Sequence, residues 1–176
     1  MRTGSHQRGD SLIEVLVSIV IFSLGVLGVA LLQLKGMQFT KQSGSRTTAI
    51  EQTRSLADAM RANPNGVYGV ATESAIGALN GNLSGSYYLY DGTDAPDPAA
   101  CGSDNVACVQ AKNDLLNWLA VLNANTAAPT ASGALRAQVV VNQQSGALTI
   151  ATRWDGMIPG SDGATSDDSY QFDYQP

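Results

Sequence analysis

The apolar positions of this chain are distributed unevenly, and their longest run lies near the N-terminus. From Leu12 to Leu34 the sequence carries one charged residue, Glu14. A helix over this run spans about 35 Å, enough to cross the hydrocarbon core of a bilayer. A carboxylate inside such a run costs roughly 2.5–3.5 kcal/mol on insertion scales, and an intramembrane acid is by default a functional candidate. The pattern predicts a membrane helix in which Glu14 does more than anchor the chain.

Two glycines, Gly25 and Gly28, interrupt the apolar run. Small residues allow neighbouring helices to approach closely in lipid, and glycine also weakens a helix by about 1 kcal/mol relative to alanine. The two positions therefore fit helix packing or local flexibility. The alternative is ordinary membrane-helix glycine, which is common.

Beyond Lys35 the pattern turns amphipathic without a helix break. Apolar or small residues recur at helical spacing and charged residues occupy the other face. The first set is Ala49, Thr53, Leu56 and Met60, and the second is Glu51, Arg54, Asp58 and Arg61. Asn63 and Pro64 then predict the helix end. We therefore expect one helix of about 50 residues. Its second half should cover a globular domain.

The rest of the chain predicts short elements separated by polar loops. Residues 86–90 are a candidate aromatic strand. A helix is expected from about Val106 to Leu122, with Trp118 at the edge of its apolar stripe, which is Ala111, Leu115, Leu119 and Leu122. Alternation predicts a hairpin over 135–154 that ends at 153–155, followed by a last strand over 170–174.

Composition limits the function. The chain has 176 residues and a net charge of -5, so electrostatics alone do not favour a nucleic-acid partner. Cys101 and Cys108 should form a disulfide if the domain is exported, and remain free thiols if it is cytoplasmic. Asp91, Asp94 and Asp97 fit solvated turn acids better than a calcium site. No catalytic constellation is apparent in the sequence, and we expect no enzyme activity, no metal and no cofactor.

The residues at the start of the apolar run resemble the N-terminus of type IV pilin precursors. Those precursors have a short basic leader ending in Gly, then Phe, then Thr or Ser, and then Leu-Ile-Glu running into a hydrophobic helix. The residues that fit this pattern here are Gly9, Ser11, Leu12, Ile13 and Glu14. Asp10 departs from it, because the family usually has Phe at that position.

The resemblance implies that the chemistry is done to this chain. A membrane aspartyl peptidase would cut the Gly9–Asp10 bond, removing residues 1–9, and would methylate the new amine of Asp10. In the family, the acid at the position of Glu14 pairs with the N-terminal amine of a neighbouring subunit. The departure at Asp10 bears on both steps, since its charge lies beside that amine. The alternative for Glu14 is an interfacial acid that reaches water.

Two later segments are similar to minor pilins of the PilV type. They are residues 114–118, after the cysteine pair, and the strand end Arg153-Trp154-Asp155. The resemblance implies an α+β, lollipop-shaped pilin fold, with a long helix packed on a small antiparallel sheet. Its expected parts are a leader over 1–9, a transmembrane and assembly half over 10–34, an amphipathic half over 35–63 and a globular extracytoplasmic domain over 64–176.

The implied function is that of a minor pilin in a type IV pilus, contributing to assembly, adhesion or twitching motility. Its expected partners are other major and minor pilins, the prepilin peptidase and the inner membrane. The N-terminus would be cytoplasmic and the globular domain periplasmic before assembly, and the protein would be extracellular in the pilus. Two alternatives remain open, a minor pseudopilin of a type II secretion system and a membrane-anchored periplasmic protein unrelated to pili.

Overall fold

The fold is α+β, as the sequence predicted. The computed structural model describes residues 10–79, 81–102, 104–129, 135–159 and 165–176. The helices are α1 (Asp10–Ala62), α2 (Pro64–Tyr68) and α3 (Val106–Asn125), with short 3₁₀ helices at Glu73–Leu79 and Pro98–Ala100. The strands are β1 (Ala137–Val141), β2 (Leu148–Pro159) and β3 (Thr165–Tyr174). The chain divides into two compact units, an N-terminal unit that ends at Lys41 and a C-terminal unit that begins at Gln42.

Helix α1 ends at Ala62, where the Asn-Pro pair predicted its end. Asn63 leaves the helical backbone with φ -128° and ψ 67°, and its side chain accepts a hydrogen bond from the Gly66 amide. Pro64 starts α2, where its missing N–H costs nothing. One asparagine therefore stops the long helix and caps the short one that follows.

The core of the C-terminal unit lies between the buried stripes of α1 and α3 and one face of the sheet. Its α1 residues include Ala49, Leu56 and Met60, as the spacing predicted, and its sheet residues include Leu148, Ile150 and Trp154. In α3 the expected stripe was wrong at one position. Trp118 is buried and Leu119 only partly so. Positions 111, 115, 118 and 122 follow the 4-3-4 spacing of a helix face, so the indole takes the centre of the stripe.

The three strands form an antiparallel sheet in the order β1-β2-β3. Ala137 pairs with Thr152 across the first ladder, and Thr152 pairs with Tyr170 across the second. The predicted end of β2 at 153–155 was wrong. β2 continues to Pro159, past an irregularity in register between Asp155 and Pro159. Because β3 starts at Thr165, it offers β2 a partner for the extra residues.

The aromatic segment 86–90 is a turn and not the predicted strand. The Leu89 amide donates to the Ser86 carbonyl at 3.3 Å, and the Ser86 hydroxyl accepts from the Tyr88 amide at 3.2 Å. Serine side chains of this kind compete with ladder bonds for the backbone. Only Tyr90 reaches the sheet, through an isolated bridge to Val139.

Candidate functional site: the start of the long helix

The predicted cleavage site lies where the described residues begin. Gly9 and the rest of the predicted leader are outside the described residues, and Asp10 is the first residue of α1. Glu14 follows four positions later, so its Cα lies about 6 Å further along the helix axis. An amine formed at position 10 would therefore lie within about one helical turn of this acid.

Glu14 lies in a helix surface that the chain itself leaves uncovered. Its neighbours Ile13 and Val15 are 66% and 53% exposed. The most apolar window of α1 has a mean hydropathy of 2.8 with none of it buried, which makes the helix long and apolar enough to cross a membrane. No basic side chain in the described ranges forms an ion pair with Glu14. A cation for this carboxylate therefore has to come from the N-terminus or from another molecule.

Ser18 marks the next turn of the same helix. Its hydroxyl donates to the backbone carbonyl of Glu14 at 2.7 Å. This bond satisfies the hydroxyl inside the helix, as serine commonly does in apolar surroundings. Ser18 can therefore remain in the apolar run without a partner outside α1.

Gly25 and Gly28 lie in an unbroken stretch of α1. A Cβ added at either position would meet no other atom within 4 Å. Nothing inside the chain therefore requires glycine at these two positions. The remaining reasons are outside the chain or in the helix's own tendency to deform.

The two cysteines form a disulfide in the structure, with 5.8 Å between their Cα atoms. Cys108 lies in the first turn of α3, which the Asn105 side chain caps by accepting from the Cys108 amide at 3.1 Å. The Asn105 amide group also donates to the Tyr87 hydroxyl at 2.9 Å. The bridge therefore joins the end of the 3₁₀ helix Pro98–Ala100 to the start of α3, and Asn105 joins that start to the aromatic turn.

A polar cluster around Tyr88 ties the end of α1 to α3. The Tyr88 hydroxyl donates to the Asp114 carboxylate at 2.6 Å and lies 3.3 Å from the amide nitrogen of Asn63. That nitrogen also donates to the Ala107 carbonyl at 2.9 Å. Burial raises the pKa of the Tyr88 phenol well above its usual value, and the hydrogen bond to Asp114 raises it further. Tyr88 is therefore neutral and holds its proton as a donor.

The sequence gave no local signal for this cluster or for the environment of Arg136. Tyr88 belonged to a predicted strand, and Arg136 was assigned to the polar face of a hairpin. In the structure one Arg136 nitrogen donates to the Leu122 carbonyl and to the carbonyl and hydroxyl oxygens of Thr126, each at 3.2 Å. Burial lowers the pKa of this guanidinium. Arg136 thus caps the C-terminus of α3 from the start of β1, a favourable place for a cation.

The three acids of the 91–97 loop border a surface cleft of ≈850 Å³. Asp91 accepts hydrogen bonds from the amide and hydroxyl of Thr93, which lower the pKa of its carboxyl group. Asp97 caps the next 3₁₀ helix by accepting from the Ala99 amide at 2.8 Å. Among the residues that the structure describes, no group of three His, Cys, Asp or Glu side chains could hold a metal ion. Asp91 and Asp97 thus act within their own turns.

Comparison with known proteins identifies the N-terminal region. Residues 4–30 match the family model of the prokaryotic N-terminal methylation motif. This motif is the precursor signal of type IV pilin-like and pseudopilin-like proteins, and the chain is a protein of that kind. The matched range includes Gly9, Asp10, Glu14, Gly25 and Gly28. No curated protein and no solved structure matches the chain.

Proposed function

We propose that this protein is a minor pilin of a type IV pilus, with a structural role and no catalytic one. The observation that carries the proposal is the exposed apolar half of α1, which bears Glu14 one turn after the predicted cleavage site. An apolar helix surface of this length is stable only against lipid or other helices. A filament of packed N-terminal helices provides the second environment after the membrane has provided the first.

The proposed maturation begins in the inner membrane, with the leader in the cytoplasm and the C-terminal unit in the periplasm. The prepilin peptidase cuts the Gly9–Asp10 bond and methylates the Asp10 amine. The helix then leaves the lipid and enters the pilus, where Glu14 pairs with the N-terminal amine of a neighbouring pilin. The disulfide between Cys101 and Cys108 supports this orientation, because disulfides persist in oxidising compartments.

The first test is the intact mass of the protein from native membranes, with and without the leader peptidase. We expect the mass of residues 1–9 to be lost only when the peptidase is present, and the mature chain to carry an added methyl group on Asp10. A cut chain without the methyl group would limit the effect of Asp10 to methylation. An uncut chain in both strains would refute the pilin role and favour a membrane-anchored periplasmic protein.

Glu14→Gln tests the assembly step separately. The substitution keeps the size of the side chain and removes the charge that would pair with an amine. One charge-assisted hydrogen bond corresponds to about tenfold or more in an equilibrium, so recovery of the variant in sheared pili should fall by at least about tenfold. Ser18→Ala is the matched control, because it changes a polar residue one turn away whose hydroxyl is bonded within the helix.

Membrane levels of both variants are measured by immunoblot alongside the pili. We expect equal amounts of Glu14→Gln, Ser18→Ala and wild type in the membrane, because the folded C-terminal unit does not include these positions. Normal incorporation of Glu14→Gln into pili would show that the acid is an interfacial residue without a pairing role.

Deleting the gene distinguishes the pilus from a type II secretion system. Loss of pili and of twitching motility supports the minor pilin. Loss of exoprotein secretion with pili intact identifies a minor pseudopilin instead. The similarity of residues 114–118 and 153–155 to PilV-type minor pilins is what favours the first outcome.

A further inference from the structure

The two outer edges of the three-stranded sheet differ in how they are covered. At the β1 edge, Tyr90 and Val139 exchange two backbone hydrogen bonds, at 3.0 and 2.8 Å. Gly92 lies against the same edge, since a Cβ there would be 2.8 Å from the Ala137 carbonyl oxygen. At the outer edge of β3, no described segment forms a backbone hydrogen bond. The sheet is thus covered on one side and open on the other.

The register identifies the backbone groups that point outward from β3. The Arg153 amide donates to the Arg136 carbonyl at 2.7 Å, so β2 residues at odd positions direct their backbone groups to β1. Residues at even positions direct theirs to β3, where Ile150 pairs with Phe172. The intervening β3 residues must turn their N–H and C=O groups away from β2. They are Ser169, Gln171 and Asp173.

This edge is long enough to pair with another strand. Ser169, Gln171 and Asp173 together present three donors and three acceptors along about 14 Å of backbone. Their side chains are exposed. The side chains of Tyr170, Phe172 and Tyr174 are at least partly buried, which fixes the strand in place. An open edge on an anchored strand is a ready template for strand addition.

We propose that the outer edge of β3 binds an extended, basic segment of a partner protein, which adds as a fourth strand beside Ser169–Asp173. The backbone groups of the partner would pair with the outward groups of β3. Its Lys or Arg side chains would lie near the acids of β3. The proposal goes beyond the assembly role of α1 and stands or falls without it.

The charges of β3 favour a basic partner over a second copy of this chain. The segment 165–176 contains Asp167, Asp168 and Asp173, and it contains no Lys or Arg. Two copies paired antiparallel about Tyr170 would set position 167 opposite position 173, with an acid at both. Like charges directly opposite each other destabilise a strand pair, and opposite charges stabilise it by roughly 0.2–1 kcal/mol. A Lys-bearing strand gains where a second copy loses.

The test uses the full-length protein in detergent micelles and two synthetic decapeptides. One peptide alternates Thr and Lys, and the other alternates Thr and Glu, so both are extended and differ in charge alone. Residue-resolved amide hydrogen exchange is measured with and without each peptide. In the free protein the amides of Tyr170 and Phe172 should be protected and that of Gln171 should exchange quickly. The Thr-Lys peptide should slow exchange at Gln171 by about tenfold or more, the equivalent of one backbone hydrogen bond.

Gln171→Pro and Gln171→Thr form the matched pair of variants. Proline removes the outward N–H at a position where an edge strand tolerates it, whereas threonine keeps the N–H and the strand propensity. We expect the affinity for the Thr-Lys peptide to fall by about tenfold in Gln171→Pro and to be retained in Gln171→Thr. Protected amides at Tyr170 and Phe172 in both variants show that the sheet is intact.

Several outcomes overturn the proposal. Equal binding of the Thr-Lys and Thr-Glu peptides removes the basic partner. Protection of Gln171 in the free protein that grows with protein concentration identifies a second copy as the occupant. Absence of protection with either peptide shows that the edge is not a docking surface. Equal binding by Gln171→Pro and Gln171→Thr places the peptide elsewhere on the protein.

Discussion

Tyr88→Phe isolates the hydrogen bond that joins the aromatic turn to α3. The substitution removes one oxygen and leaves a ring of nearly the same volume. The lost contact is the 2.6 Å bond to the Asp114 carboxylate. A hydrogen bond to a charged group contributes about 1.5–3 kcal/mol net. Asp114 keeps a second donor in Gln110 at 3.0 Å and is half-buried, so water can replace part of what is lost.

We therefore expect Tyr88→Phe to cost about 1.5 kcal/mol, which lowers the Tm of the C-terminal unit by about 5 °C. Tyr90→Phe is the control, because the described part of the chain offers its hydroxyl no hydrogen-bond partner, and it should change the free energy of unfolding by less than about 0.5 kcal/mol. The assay is thermal unfolding of the full chain in detergent, followed by near-ultraviolet circular dichroism. Trp118 and Trp154 are both buried in this unit and report its packing.

A double-mutant cycle with Asp114→Asn assigns the energy to the pair. The coupling between Tyr88→Phe and Asp114→Asn should be about 1 kcal/mol, because removing either partner already breaks the bond. Equal Tm values for Tyr88→Phe and Tyr90→Phe would refute the reasoning, as would additive effects of the two substitutions in the cycle.

Two further predictions concern pH and glycine. The raised pKa of Tyr88 means that the folded state keeps the neutral phenol, so its contribution is complete below about pH 10 and is lost at higher pH, by about 1.4 kcal/mol per pH unit; Tm measured from pH 8 to 11 should fall less steeply in Tyr88→Phe, and equal slopes would contradict the assignment. A Cβ at Gly69 (φ +69°) would lie 1.8 Å from the Gly85 carbonyl oxygen, whereas one at Gly146 (φ +73°) would meet open space. Gly146→Ala should cost about 1–2 kcal/mol and Gly69→Ala clearly more, and equal losses in urea unfolding would show that Gly85 moves aside.

The elements that follow from local pattern were predictable from the sequence. The end of α1 was predicted because Asn63 and Pro64 act within one turn of the chain. The buried faces of α1 and β2 followed from spacing, since a single residue period decides which side chains point inward. The start of α1 came from a motif, in which Gly9 and Glu14 stand at fixed distances from the apolar run.

The errors arose where side chains compete across distance. The segment around Tyr88 has the composition of a strand, but the Ser86 hydroxyl and the distant Asp114 carboxylate favour a turn. Trp118 and Leu119 fit a helix stripe almost equally well, and the volume available beside α1 selects between them. The length of β2 depends on β3, which begins after a polar segment of the sequence without apolar alternation. None of these partners can be read from the neighbouring residues.

The contact between Arg136 and the end of α3 bears on how the protein can vary. Leu122 and Thr126 at the end of the helix and Arg136 at the start of the hairpin are held together directly, so the residues joining them do not set the distance between the two elements. Doubling the length of a flexible connection costs only about 0.6 kcal/mol. Insertions after Pro129 should therefore leave the core unchanged, which makes this stretch a place where related proteins can acquire new surface without refolding the rest.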